Sequence, residues 1–201
     1  MLDGWVRGLI DPPLARAGVV LARAGVSADA VTVVALAFGL AGAAAAAAGW
    51  FGSALALFLA GRVCDGLDGA VARAAGRTER GGLIDIVADF AVYGAVPLAF
   101  AAYDPAANAL PGAALLFAFY VNGASFLAFA AVAARRGLET TSRGVKSIYF
   151  TAGLAEGTET IAVFVAMLVW PSAFPALALA FAALCLVTAV SRVALAWKTF
   201  A

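Results

Sequence analysis

The sequence predicts an all-α integral membrane protein, with six transmembrane helices preceded by an N-terminal amphipathic juxtamembrane helix. Of its 201 residues, 65% are hydrophobic and only 12% are charged, whereas soluble domains carry about 25% charged residues. Six long apolar stretches are present, each near or above the ~20 residues that a helix needs to cross a bilayer. They lie roughly at 29–50, 53–73, 82–103, 109–133, 150–170 and 173–196.

The segment 1–26 is expected to lie at the membrane surface rather than to act as a cleaved signal peptide. Acidic residues and the pair Pro12–Pro13 interrupt the apolar run that a signal peptide requires. Arginines mix there with apolar side chains, which indicates one or two short amphipathic helices, with Pro13 in the first turn of the second. Ser27 or Asp29 is the expected N-cap of the first spanning helix.

The basic residues predict the orientation of the chain. All 13 lysines and arginines fall towards one face of the predicted bundle, and the opposite turns (GWFGS, YDPAANALPG and WPSAFP) contain none. The positive-inside rule makes that face cytoplasmic, together with both termini. The membrane is expected to be the inner membrane of a bacterium. The arginines could serve only to set this topology. The net charge of +1 gives no support for nucleic-acid binding.

Four aspartates meet at the predicted cytoplasmic ends of the second and third spans. Asp65 and Asp68 are three residues apart and Asp85 and Asp89 four apart, so each pair shares a helix face. The short loop AAGRTERGG between them predicts that the two helices are antiparallel neighbours. Each charged aspartate costs roughly 2.5–3.5 kcal/mol inside a membrane, so the cluster is expected to bind cations.

The type of ligand indicates which cations these are. Oxygen ligands in a chain without histidine favour Mg²⁺, Mn²⁺ or Ca²⁺ over zinc, and both cysteines lie in apolar spans. The alternative is a structural network in which each aspartate pairs with an arginine. The candidate arginines are Arg62, Arg73, Arg77 and Arg80.

Small residues beside the acids give a second indication of function. Gly66, Gly69 and Ala72 leave space on the helix face that carries Asp65 and Asp68. A bulky anion could occupy this space, with metals bridging its diphosphate and Arg73 binding its charge. Close helix–helix packing is the alternative explanation for the small residues.

The whole stretch resembles the motif of the CDP-alcohol phosphotransferases. Members carry D-x-x-D-G-x-x-A-R and then, about eight residues later, G-x-x-x-D-x-x-x-D. The first half is complete in DGLDGAVAR (65–73), and the second is complete in GGLIDIVAD (81–89). The spacer 74–80 is one residue shorter than usual. The six spans, the amphipathic N-terminus and the segment VSADAVT before the first span are also similar to the family.

The resemblance implies an enzyme that moves a substituted phosphate from a CDP-linked donor, usually CDP-diacylglycerol, to the hydroxyl of a polar alcohol and releases CMP. The catalytic domain would be residues 27–201, and family members are typically homodimers. The resemblance further implies two divalent cations, Mg²⁺ or Mn²⁺, with Asp89 as the general base. The metal ligands would be Asp65, Asp68, Asp85 and Asp89. The donor site would comprise Asp68, Gly69, Ala72 and Arg73.

The acceptor alcohol is expected to bind where the second basic loop meets the fifth span. Candidate residues there are Arg143, Lys146, Glu156 and Glu159. The basic pair could instead fix topology, and the glutamates could pair with Lys146 and Arg192. Some relatives that make phosphatidylinositol phosphate carry E-R-x-E-R here, but this chain reads EGTET, which argues against a phosphoinositol acceptor. Asn122 and Ser125 share a helix face, and we expect them to bond a neighbouring helix.

Two other classes of function use similar residues. Intramembrane aspartates also occur in cation transporters, but here they cluster at one end, and the opposite turns hold only Asp104. A non-catalytic lipid-binding family member is the other alternative, and the complete motif argues against it.

Overall fold

The computed structural model describes residues 3–137 and 157–200, and these residues form helices joined by short turns. No strand occurs among them, so the predicted all-α class is confirmed. Most of the described connections between helices have three residues or fewer, and residues 24–27 and 170–173 form connections of four. The helices are α1 (Asp3–Arg23), α2 (Ala28–Ala47), α3 (Phe51–Ala75), α4 (Glu79–Tyr103), α5 (Pro105–Arg135), α6 (Gly157–Val169) and α7 (Phe174–Phe200), with a 3₁₀ turn at Pro171–Ala173.

Four described helices are long and apolar enough to cross a membrane: α2, α4, α5 and α7 together with the 3₁₀ turn before it. Helix α3 has the required length, at 25 residues, but Arg62, Asp65, Asp68 and Arg73 make its second half strongly charged. Helix α6 is apolar and has only 13 described residues. The first part of the predicted fifth span, at 150–156, lies outside the described residues.

The N-terminal segment is one continuous helix, so the prediction that Pro13 opens a second helix is wrong. Pro12 and Pro13 both lie inside α1 and are exposed, which keeps their rings out of the packed face. That face contacts α3 very closely. A Cβ added to Gly18 would lie 2.7 Å from the carbonyl carbon of Ala70, so only glycine fits there.

The turn from α1 to α2 has the geometry its sequence favours. Gly25 has a φ of 80°, and the amide of Val26 bonds the carbonyl of Leu21 at 3.0 Å, as in a Schellman motif. The side chain of Ser27 then accepts a hydrogen bond from the amide of Ala30 at 3.2 Å. Ser27 is therefore the N-cap, as predicted.

Helix α2 packs against both α3 and α4, which make little backbone contact with each other. The predicted neighbours do contact each other through side chains, since Phe51 of α3 packs against Phe100 and Tyr103 of α4, but their backbones stay apart. The reason lies in small residues on two faces of α2. A Cβ on Gly42 would lie 3.1 Å from the carbonyl oxygen of Ala54 in α3, and one on Gly39 would lie 2.5 Å from Val92 in α4. Close approach on both sides leaves α2 between the two acidic helices.

The apolar core fills the half of the bundle away from the aspartates. It joins the first half of α3 to the second half of α4 and to α5, α6 and α7. Phe100 of α4 stacks on Phe174 of α7 at 4.3 Å between ring centroids, and Phe58 meets Phe164 of α6 edge to face. This aromatic packing anchors α3 and α4 at one end and leaves their acidic ends to form a site.

Candidate active site

Three of the four predicted aspartates converge between α3 and α4. One carboxylate oxygen from each of Asp65, Asp68 and Asp85 lies within 4.8 Å of the other two. Asp68 is buried, and no basic residue in the described parts of the chain lies within salt-bridge distance of Asp68 or Asp85. We call these residues the three-aspartate cluster. Its negative charge is concentrated where little other charge offsets it.

The cluster fits a hard divalent cation. Mg²⁺ binds oxygen at about 2.0–2.1 Å and Ca²⁺ at about 2.3–2.6 Å, so oxygens on opposite sides of one ion stand roughly 4–5 Å apart. The observed separations of up to 4.8 Å lie within this range. The donor set is entirely carboxylate, with no nitrogen or sulfur ligand, which also suits Mg²⁺, Mn²⁺ or Ca²⁺.

Thr32 supports the cluster from α2, and sequence reasoning missed it. Its hydroxyl oxygen lies 2.7 Å from Oδ2 of Asp68 and 3.1 Å from the carbonyl oxygen of Ala28. Both Thr32 and Asp68 are buried, so the hydroxyl fixes the position of one carboxylate oxygen. The segment VSADAVT was the available signal, because it places a hydroxyl five residues after the N-cap.

Asp89 stands apart from the three-aspartate cluster because it pairs with Arg62. The Nη1 atom of Arg62 lies 2.7 Å from Oδ1 of Asp89 and 3.5 Å from Oδ2 of Asp65. The Arg62 side chain is only 8% exposed, and its guanidinium carbon lies 5.9 Å from the ring centres of both Phe58 and Tyr93. The arginine network considered as an alternative thus accounts for Asp65 and Asp89, and it does not extend to Asp68 or Asp85 among the described residues.

A cavity of about 470 Å³ adjoins the cluster. It is bounded by the first turn of α2, the end of α3, the loop 76–78 and the start of α4. All the predicted donor residues line it, and Asp68 and Asp85 belong to both the cavity wall and the cluster. A ligand in the cavity would therefore touch the proposed metal site directly. The predicted donor residues on its wall are Asp68, Gly69, Ala72 and Arg73.

The sequence predicted free space beside Gly66 and Gly69, but the two glycines differ in their surroundings. A Cβ on Gly69 would meet only Nη1 of Arg73, at 3.4 Å, so this position opens into the cavity. A Cβ on Gly66 would meet Cδ1 of Leu14 in α1 at 2.8 Å. The expectation of substrate space beside Gly66 is therefore wrong, because α1 covers that position.

Three arginines line the cavity beside its three aspartates, so its wall has basic and acidic parts. Arg73, Arg77 and Arg80 line its wall, as do the N-terminal turns of α2 and α4, whose amides and dipoles attract negative charge. Arg80 donates from Nε and Nη2 to Oδ2 of Asp29, at 3.1 and 2.6 Å. This pair joins the first turns of the two helices at the edge of the cavity.

The predicted acceptor residues are only partly described. Arg143, Lys146 and Glu156 lie outside the described residues, and Glu159 lies in the first turn of α6. Asn122 and Ser125 of α5 bond Arg192 of α7, as predicted for a neighbouring helix. The Nη1 atom of the buried Arg192 lies 2.9 Å from Oδ1 of Asn122 and 2.6 Å from Oγ of Ser125.

The chain is similar in sequence to known proteins. A family model described as CDP-alcohol phosphatidyltransferase matches residues 25–197. Inner membrane protein YnjF of Escherichia coli (strain K12) is 43% identical over 193 residues, which cover 96% of this chain and 94% of that protein.

Solved structures share the fold. Phosphatidylinositol phosphate synthase (PgsA1) of Mycobacterium tuberculosis with CDP-DAG bound gives a TM-score of 0.66 at 22% identity, over 92% of this chain and 93% of that one. The same enzyme in complex with manganese and citrate gives a TM-score of 0.63 at 23% identity, over 92% of this chain and 88% of that one.

Proposed function

Because the chain belongs to the CDP-alcohol phosphatidyltransferase family, we propose that it transfers a phosphatidyl group from CDP-diacylglycerol to the hydroxyl of a polar alcohol and releases CMP. One observation carries the proposal. Asp68 and Asp85 lie in both the three-aspartate cluster and the wall of the cavity that Arg73 also lines. A nucleotide-linked lipid bound there would have its diphosphate against the cluster. The CDP-DAG bound to the Mycobacterium tuberculosis synthase supports this choice of donor.

The donor's charge and shape match the cavity wall. Arg73 and the amides at the start of α2 and α4 would bind the diphosphate, while Gly69 and Ala72 leave space for the cytidine. Asp65, Asp68, Asp85 and Asp89 would hold two divalent cations, Mg²⁺ or Mn²⁺, which supply positive charge to the bridging oxygens of the diphosphate and to the leaving CMP. Manganese in a related structure supports this assignment.

Asp89 is the proposed general base. It removes the proton from the acceptor hydroxyl, whose oxygen attacks the phosphorus of the phosphatidyl group. The bond from that phosphorus to the bridging oxygen breaks, and CMP leaves with the electron pair. Arg62 donates to Oδ1 of Asp89 in this structure, and Oδ2 of the same carboxylate would accept the proton. The partly exposed side chain can be reached by a polar alcohol.

The acceptor site is proposed at the cytoplasmic end of α6 and the segment before it. Its candidate residues are Arg143, Lys146, Glu156 and Glu159. The segment EGTET lacks the arginines found in relatives that use a phosphoinositol, so a different polar alcohol is favoured.

The arrangement in the membrane is also a proposal. Six spans would result if α3 crosses despite its charged half and if α6 extends into the preceding residues. Residues 1–26 would lie along the interface, and residues 27–201 would form the catalytic domain of an inner membrane homodimer, with the termini and the active site cytoplasmic. The distribution of lysine and arginine and the inner-membrane location of the Escherichia coli relative support this topology.

The test is CMP release by the purified full-length protein in detergent micelles. CDP-diacylglycerol carrying a radiolabelled acyl chain is supplied with a panel of alcohols, among them glycerol phosphate, serine, inositol and choline. Lipid products are resolved by thin-layer chromatography. We expect Mn²⁺- or Mg²⁺-dependent CMP release with at least one acceptor, and its loss in Asp68→Asn and in EDTA. Absence of metal-dependent CMP release with every acceptor would overturn the proposal, and cation uptake into proteoliposomes would then favour the transporter.

A further inference from the structure

Arg62 places a positive charge between Asp65 of the three-aspartate cluster and Asp89. We propose that it competes with one divalent cation for Asp89, so that cations bind in sequence. The first enters the three-aspartate cluster, and the second binds only as Arg62 releases Asp89. This inference rests on the metal-dependent function proposed above and assigns an affinity-setting role to a residue outside the family motif.

The contacts show how firmly Arg62 is held. It lies three residues before Asp65 on α3, so both side chains project from the same helix face. Its Nη1 atom contacts Asp89 at 2.7 Å and Asp65 at 3.5 Å. The rings of Phe58 and Tyr93 flank the guanidinium, and the side chain is buried. A buried arginine held between aromatic rings cannot simply extend into solvent as a surface arginine does.

The distribution of charge predicts the order of binding. Among the described residues, Arg62 is the basic side chain that lies within salt-bridge distance of the motif aspartates. Its positive charge offsets the negative charge of Asp89 and part of that of Asp65. The charges of Asp68 and Asp85 have no basic partner among the described residues. The first cation therefore enters where the negative potential is strongest. With Arg62 and one divalent cation in place, four carboxylates retain only about one net negative charge, so a second divalent cation is attracted much more weakly.

The second cation also meets direct competition. A divalent cation at Oδ1 of Asp89 would lie beside the guanidinium that donates to this oxygen at 2.7 Å, so the two positive charges would repel each other. Asp89, at 2.7 Å, is the closest carboxylate to this guanidinium. The buried Nε atom of Arg62 has no acceptor among the described residues. Capture of Asp89 by an ion would leave Arg62 with the longer contact to Asp65. Arg62 and the second divalent cation therefore each weaken the binding of the other to Asp89.

A purely structural ion pair makes a different prediction. In that case, removal of Arg62 would lower stability equally with and without Mn²⁺, and cation affinity would not change. Under competition, removal of Arg62 lowers stability in EDTA, because the carboxylates lose their internal counter-charge. Mn²⁺ then restores stability, because the second cation binds without displacing an arginine.

The experiment compares wild type, Arg62→Met and Arg80→Met. Both substitutions remove one positive charge and keep an apolar stem, but Arg80 pairs with Asp29 outside the aspartate cluster. The full-length proteins in detergent micelles are titrated with Mn²⁺, free ion is measured by its electron paramagnetic resonance signal, and thermal unfolding is recorded in EDTA and in Mn²⁺. Arg62→Gln, which keeps a hydrogen-bond donor, is the second variant in case the methionine variant does not fold.

We expect wild type to bind a second Mn²⁺ about tenfold more weakly than the first, and Arg62→Met to reduce that difference several-fold. Arg80→Met is expected to retain the wild-type difference. Two equal sites in wild type, or identical Mn²⁺ affinities in wild type and both Arg62 variants, would overturn the competition and leave the proposed function standing. Absence of Mn²⁺ binding in wild type would instead overturn the proposed metal site and this inference with it.

Discussion

The hydroxyl of Thr32 lies 2.7 Å from the carboxylate of Asp68, and the two residues are 36 positions apart in the chain. Both are buried, so this hydrogen bond fixes a proposed metal ligand from a helix that contributes no carboxylate to the cluster. Partners of this kind orient ligands, and their loss typically weakens a metal site.

Thr32→Val removes the donor and keeps the shape of the side chain. We expect Mn²⁺ affinity and CMP release to fall by roughly 10- to 100-fold, because Asp68 is no longer held in one orientation. The free energy of unfolding should fall by about 1–3 kcal/mol, because a buried carboxylate oxygen loses its partner. Mn²⁺ titration and chemical denaturation measure the two effects. Thr32→Ser retains the hydroxyl and should behave like wild type; equal losses in both variants would contradict this role.

Gly69→Ala tests whether the cavity holds the donor. The added methyl group meets only Arg73 and projects into open space. We therefore expect the free energy of unfolding to stay the same or to rise by up to about 1 kcal/mol, because alanine favours helix. The KM for CDP-diacylglycerol should rise at least about tenfold, because the substrate is displaced.

Gly18→Ala is the matched comparison for Gly69→Ala. Its added methyl group would lie 2.7 Å from backbone atoms of Ala70, so it should lower the thermal unfolding temperature by forcing α1 away from α3. A wild-type KM for CDP-diacylglycerol in Gly69→Ala would show that the donor does not bind in this cavity.

Asp89→Asn tests the base without removing the three-aspartate cluster. CMP release should fall by about 100- to 10,000-fold, because asparagine cannot accept the proton of the acceptor hydroxyl. Binding of the first Mn²⁺ should persist, because Asp65, Asp68 and Asp85 remain. Asp104→Asn is the control, since asparagine can replace the capping oxygen that Asp104 gives to the amide of Ala107. Turnover near the wild-type rate in Asp89→Asn would exclude the base assignment.

Metal removal should destabilise the folded protein. Asp68 and Asp85 have no basic partner among the described residues, so a bound cation relieves repulsion in the native state alone. Mn²⁺ at 100 times its dissociation constant should raise the free energy of unfolding by about 2.7 kcal/mol relative to EDTA. Thermal unfolding with and without Mn²⁺ measures the change. Asp68→Asn should abolish most of it, and an equal Mn²⁺ effect in this variant would place the ion elsewhere.

The acidic site was predictable because local periodicity determines helix faces. Spacings of three and four residues place Asp65 with Asp68 and Asp85 with Asp89, whatever the surrounding packing. The capping role of Ser27 followed equally from local chemistry. The helical fold and four of the spans followed from length and apolar composition.

Contacts between distant segments were not predictable, because the residues on a helix face do not determine which other helix packs against it. The hydrogen bond between Thr32 and Asp68 and the pairing of Arg62 with Asp89 depend on which helices pack together. The covering of Gly66 by Leu14 also depends on α1 passing through Pro12 and Pro13 without a break. In each case several partners satisfy the local pattern equally well, and tertiary packing selects one.

The position of α2 between α3 and α4 has a consequence for ion selection. Helix α2 supplies none of the carboxylates, but the spacing of the carboxylates depends on how closely α2 packs against the helices that carry them. Gly39 lets α2 approach Val92 of α4 closely. A bulkier residue at this position would widen the gap between Asp68 and Asp85. Mg²⁺ tolerates such widening poorly, whereas Ca²⁺ accepts longer and more variable bonds. A residue without a side chain, remote from the carboxylates, would thus govern which ion radius the proposed metal site prefers.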